Sequence, residues 1–143
     1  MTALSFPQLP ESPVKLALPL FISVVPAGFP SAADDFIDVH LDLNEHLVKH
    51  PSATYFVKAS GGSMIGAGIM DGDLLMVDRD LPYKHGNIVV ASIDGELTCK
   101  RLDLRRQLLV PSNSKCQPIS ITDNSEVIIL GVVIHSIRNH LGG

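Results

Sequence analysis

The sequence is short of positive charge and of cysteine. Eleven lysines and arginines stand against fifteen acidic residues, a formal charge of −4. The phosphate-neutralising stripe of an autonomous DNA binder is therefore missing, and direct sequence-specific nucleic-acid binding is not expected. Only two cysteines occur, Cys99 and Cys116, and they form no C-x-x-C pair. Neither a disulfide framework nor a zinc site is indicated, and a reducing cytoplasm is the default location. No apolar run is long enough to span a bilayer. The nearest imitation of a targeting signal is Leu16 to Val25, preceded by Lys15 and followed by Ala27 and Gly28. Pro19 and Pro26 interrupt it and no cluster of positive charge precedes it, so neither export nor a membrane is expected. Nucleophile-elbow G-x-S-x-G motifs, internal repeats and low-complexity tracts are also missing.

What is present suffices for one core: 143 residues, 45% of them hydrophobic. Six of the ten prolines, at positions 7, 10, 13, 19, 26 and 30, fall in the first thirty residues. Proline removes backbone donors and blocks regular helix, so residues 1–30 are expected to form an extended arm and residues 31–143 a β-rich domain. Between Asp34 and His50, the positions Phe36, Ile37, Leu41, Leu43, Leu47 and Val48 fit an amphipathic helix loosely. Asp42 or Asn44 could cap a helix reaching His50, with Pro51 as its stop. His46 and His50 have i, i+4 spacing, but no third ligand accompanies them. A solvated helix face is the preferred account, and neither metal nor cofactor is expected.

From Thr54 the pattern turns to short strands rich in aromatic and β-branched residues: 54–59, 74–77, 87–93, 96–102, 107–110, 119–121 and 127–137. Asp94-Gly95 between the third and fourth of these predicts a tight hairpin, because both residues tolerate positive φ. The last run is apolar on both faces and is expected to be central in a mainly β fold of short twisted strands.

Chemistry is suggested first by Ser60-Gly61-Gly62-Ser63-Met64. The glycines would let the chain turn sharply and present the Ser63 hydroxyl beside free N–H groups, although the same residues also make an ordinary turn. A serine nucleophile needs a base. No histidine lies in a recognisable triad context, which leaves lysine. Holding a lysine mostly neutral near pH 7 costs about 4 kcal/mol, which burial among apolar side chains can supply. Lys100 lies on a core strand thirty-seven positions after Ser63. It shares a strand face with Thr98 and Leu102, whereas Leu97, Cys99 and Arg101 share the other, and alternation alone leaves a solvated lysine equally open.

The ordered set Pro51 to Gly61, Ser63-Met64, Asp71-Gly72-Asp73-Leu74-Leu75, Val77-Asp78 and His85-Gly86 resembles UmuD-type SOS mutagenesis proteins, members of the LexA-like self-cleaving Ser/Lys peptidases. The resemblance also takes in Ala27-Gly28-Phe29-Pro30-Ser31 and Gly131-Val132-Val133-Ile134-His135, and runs from about Pro19 to Ile137. It implies the compact LexA/UmuD-like protease fold, with Ser63 as nucleophile, Lys100 as general base and Ala27-Gly28 as the scissile bond. The backbone N–H of Ser63 would serve the oxyanion. The resemblance further implies a homodimer, cleavage stimulated by a RecA-type recombinase filament on single-stranded DNA, and a shortened form that joins a UmuC-like Y-family DNA polymerase in translesion synthesis. Gly62 departs from the polar residue that related proteins often carry there. Two other readings compete: a non-catalytic β-rich interaction module, and a processing enzyme like the membrane-bound signal peptidases, which also pair Ser-Met with a distant lysine. The latter carry a membrane anchor and usually a proline soon after Ser-Met, and this chain has neither. LexA and phage repressors place a helix-turn-helix domain before the cleavage site, and the proline-rich arm has no room for one.

Overall fold

A computed structural model describes residues 14–21, 25–26, 28, 37–123 and 126–142. The chain divides into two compact units, one within Gln8–Lys49 and one built from His50–Gly143.

In the first unit, strand β1 (Ala17–Phe21) pairs antiparallel with β2 (Ile37–Asp42). Pro19 stands opposite His40, and both strands of this two-stranded ribbon are edges, the positions where a strand tolerates proline. A single-turn helix, α1 (Leu43–Leu47), follows. The Asp42 side chain caps it by accepting from the Glu45 N–H at 3.3 Å, and its second oxygen accepts from the Leu16 N–H at 3.1 Å.

The helix expected up to His50 is thus corrected. Ile37 and Leu41 belong to a strand, and Val48 is already extended. The loose periodicity lost to pairing with a distant segment, and Asp34 to Phe36 lie outside the described residues. His46 and His50 consequently share no helical face. Pro51, expected as a stop, instead opens a 3-10 turn, Pro51–Ala53.

The second unit meets the mainly β expectation. Strands β3 (Thr54–Lys58), β4 (Leu74–Asp78), β5 (Ile88–Ile93), β6 (Glu96–Asp103), β7 (Leu108–Val110), β8 (Ile119–Ser120) and β9 (Val127–Ile137) form one antiparallel sheet. The order is β3-β4-β9-β5-β6-β7-β8. The β5–β6 hairpin turns at Asp94 and Gly95 with φ of 50° and 87°, the positive pair that Asp-Gly predicts. The long apolar β9 lies between β4 and β5, as a strand buried on both faces should.

Alternation along β5 sends Ile88 and Val90 into one apolar cluster, and Val89, Ala91 and Ile93 into another on the opposite face. Met64, Ile69, Leu75 and Val77 complete the first cluster, and Leu102, Leu109 and Val132 the second. Each such Leu or Val contributes roughly 1.5–3 kcal/mol when fully buried. The first cluster matters for the site, because it includes the residue that follows Ser63.

Candidate active site

Ser63 rides on the loop between β3 and β4. The loop is closed at its base by the Ala59 N–H donating to Asp73 O and the Gly72 N–H donating to Ala59 O, both at 2.8 Å. Gly61 takes φ of 82°, a conformation that suits glycine, and its N–H donates to Asp71 Oδ1 at 2.8 Å. Met64, next to Ser63, is 3% exposed and sits in the first core cluster, so the residue beside the hydroxyl is an apolar anchor. A 3-10 turn, Ile65–Ala67, follows.

A second segment braces this loop from the side. The Ser112 N–H donates to Ser63 O at 2.8 Å, the Gly66 N–H to Ser112 O at 2.7 Å, and Asn113 Nδ2 to Gly62 O at 2.8 Å. The approach leaves no space for a side chain at position 66, where a Cβ would come within 2.7 Å of Ser112 O.

Arg138, just past β9, clamps the far end. Its Nε and Nη2 donate to the two oxygens of Asp73 at 2.9 and 2.8 Å, and Nη2 also donates to Gly68 O. The Arg138 bond, with the Met70 N–H as the second donor, holds the buried Asp73 carboxyl down at about 2.

Lys100 comes from β6. Strand alternation turns Thr98, Lys100 and Leu102 to one side, and Lys100 is 9% exposed. The solvated-lysine alternative is therefore removed. Lys100 Nζ lies 3.1 Å from Ser63 Oγ, 2.7 Å from Thr98 Oγ1 and 3.2 Å from Cys99 O. All three partners are neutral oxygens. Among the described residues no carboxylate pairs with Lys100, so the site holds no fixed counter-charge for an ammonium. Burial pushes the adjacent Cys99 thiol up to about 11, with Lys100 pulling the other way, so no thiolate supplies that charge at neutral pH.

A cleft of about 190 Å³ opens onto the pair, with Val57 and Ala59 on one side and Leu97 and Thr98 on the other. Among the described residues β3 is one of the two edge strands of the sheet, so its outer backbone groups can receive an extended peptide. Among the described residues the N–H groups of Ser63 and Met64 donate to no protein acceptor. A hydroxyl, an amine and two open backbone donors in one cleft are the parts that acyl transfer uses.

Ser63 and Lys100, chosen from the sequence, are therefore adjacent. Of the bond at Ala27-Gly28, Ala27 lies outside the described residues, and Gly28 is an exposed bend in the first unit. Sequence reading missed three supports: Thr98, the Ser112–Asn113 brace, and the Asp73–Arg138 clamp. Thr98 was within reach, because a residue two before Lys100 on a strand shares its face. The other two join positions 49 and 65 apart, and no local signal marks them.

The profile of a family described as Peptidase S24-like matches residues 19–134. Protein MucA of Salmonella typhimurium is 48% identical over 126 residues, covering 87% of this chain and 86% of MucA. Protein ImpA of Shigella flexneri is 45% identical over 120 residues, 84% of this chain and 83% of ImpA. The LexA repressor of Actinobacillus pleuropneumoniae is 39% identical over 126 residues, which is 86% of this chain and 59% of the repressor.

Proposed function

The chain belongs to the Peptidase S24-like family, and from that premise we propose that it is a self-cleaving serine peptidase of the SOS response that cuts its own Ala27-Gly28 bond. The observation that carries this reading is the 3.1 Å contact between Lys100 Nζ and Ser63 Oγ. It sits in a cleft beside a sheet edge that no other strand pairs among the described residues, with no counter-ion among them either. Residues 1–30 act as the arm that carries the bond, and residues 31–143 as the catalytic and dimerisation domain.

In the proposed step, the neutral Lys100 amine keeps its N–H bonds to Thr98 Oγ1 and Cys99 O and turns its lone pair to the hydroxyl of Ser63, whose Oγ lies 3.1 Å away. Ser63 Oγ attacks the Ala27 carbonyl carbon while Lys100 takes the hydroxyl proton. The Ser63 N–H, with that of Met64, holds the oxyanion. Collapse breaks the bond to Gly28, Lys100 returns the proton to the leaving amine, and Ala27 remains esterified to Ser63. A water deprotonated by Lys100 then hydrolyses the ester and regenerates both side chains. Ala27 and Gly28 have little bulk, and the prolines around them favour the extended form that a sheet edge accepts.

The likeness to MucA and ImpA supports an SOS role, and the cytoplasm is its proposed location. In that role the chain is a homodimer, a RecA-type filament on single-stranded DNA stimulates cleavage, and the shortened form Gly28–Gly143 is an accessory subunit of a UmuC-like Y-family translesion polymerase. The test of cleavage is a mass spectrum before and after incubation with a recombinase filament. The native chain should yield Gly28–Gly143, and Ser63→Ala should stay intact. Equal cleavage of both, or of neither, would sink the peptidase reading. Failure of either form to co-purify with a Y-family polymerase would remove the accessory role alone.

A further inference from the structure

Although the chain as a whole is acidic, the fold gathers cations at one place. The loop 83–87 lies against the end of β6 and the turn that follows it. The Gly86 N–H donates to Leu102 O and the Leu102 N–H to Asn87 O, both at 2.8 Å, and Arg101 Nη1 donates to Gly86 O at 2.7 Å. His85 Nδ1 accepts from the Leu104 N–H at 3.1 Å and lies 3.6 Å from Asp103 Oδ1, which anchors the ring beside that carboxylate. Arg106 Nε donates to Asp103 Oδ2 at 2.8 Å, leaving its other nitrogens unused by that carboxylate. Lys84 and Arg105 are exposed and form no ion pair among the described residues.

Lys84, Arg101, Arg105 and Arg106 against the single carboxylate of Asp103 leave a local charge of +3 in a chain whose total is −4. At the edge of the group stands Tyr83, 50% exposed. An exposed aromatic ring beside a cluster of fixed cations is the arrangement that holds a phosphate backbone while a base stacks. None of these residues lines the Ser63–Lys100 cleft.

We propose that Tyr83, Lys84, His85, Arg101, Arg105 and Arg106 form a sequence-independent binding surface for single-stranded nucleic acid. The cations neutralise three or four phosphates and Tyr83 stacks on a base. An acidic peptide offers the same charge but no ring to stack, so the aromatic residue separates the two partners.

The test is fluorescence anisotropy of a labelled oligothymidylate against the full-length chain, with polyglutamate of matched charge as the second probe. The native protein should bind the oligonucleotide at low salt with a Kd of roughly 10⁻⁴–10⁻⁶ M, weakening about 20- to 50-fold when salt rises fourfold. The double variant Lys84→Gln/Arg105→Gln removes two side chains without ion pairs among the described residues and should weaken binding about tenfold or more. Tyr83→Ala should weaken oligonucleotide binding about fivefold or more and leave any polyglutamate binding unmoved. Absence of binding at low salt, or native affinity in both variants, overturns the proposal. Polyglutamate bound as tightly as the oligonucleotide would assign the surface to an acidic protein instead, and also overturns it.

Discussion

The loop that carries Ser63 and the β1–β2 ribbon are both short excursions of the chain, and they are held in opposite ways. The Ser63 loop is fixed by Met64 in the core, by Ser112 and Asn113 on one side and by Arg138 at its far end. β1 is exposed along its whole length, with Leu18, Leu20 and Phe21 at 56%, 44% and 53% exposure despite their apolar character. A nucleophile must sit within a fraction of an ångström of its base, so the bracing of Ser63 suits the proposed chemistry. Under the proposed function, a segment that is to be cut gains nothing from rigidity. The difference teaches where this fold places its buried anchors: on the Ser63 loop rather than on the apolar ribbon.

Substitutions can break that comparison, and the greatest losses belong to the pair itself. Ser63→Ala or Lys100→Ala should slow self-cleavage by about 10³-fold or more, read as fragment release on a gel, with combined loss no greater than either alone. Next comes Thr98→Val, which leaves Lys100 Nζ without its 2.7 Å partner. Cleavage should fall about tenfold, Thr98→Ser should restore it, and the pH dependence of the rate should move.

Gly66→Ala drives a Cβ against Ser112 O and should destabilise the body by about 1–3 kcal/mol in urea unfolding, with cleavage falling alongside. Asp73→Asn tests the clamp by pH. The carboxyl is held at about 2 against an ordinary 3.8, so its contribution is complete above the unfolded value and is lost as pH falls from about 4 through about 2. The native chain should lose stability over that window in acid titration by circular dichroism, and the variant should lack this component. The smallest effect belongs to the ribbon: Leu18→Ser should change the melting stability by no more than about 0.5 kcal/mol. A large loss there would mean that the two regions are not held as differently as their exposure says.

Much of the body could be read from residue order. Asp94-Gly95 fixed a hairpin because turn chemistry is local, and β9 declared itself central by being apolar on both faces. The matches to MucA, ImpA and LexA bear out the family that the ordered motifs around Ser63 suggested. What escaped was non-local. Residues 37–42 read as loose helix because their partner, Ala17–Phe21, lies in a proline-bearing stretch that promised no pairing. Lys100 was left undecided between core and solvent, since alternation names a face without saying what covers it. The clamp between Asp73 and Arg138 spans 65 positions and carries no motif of its own. The cations at 84, 101, 105 and 106 are separated in sequence, and the bond from Arg101 to Gly86 joins their segments only in the fold.

The claim on which the rest depends is that the Lys100 amine, once uncharged, takes the proton from Ser63. The rate of release of Gly28–Gly143, followed without filament from about pH 7 to about pH 10, measures it most directly. The native chain should release the fragment faster toward the alkaline end of this range, while Lys100→Ala stays near zero throughout. A Lys100→Ala chain that climbs along the native curve would contradict the account.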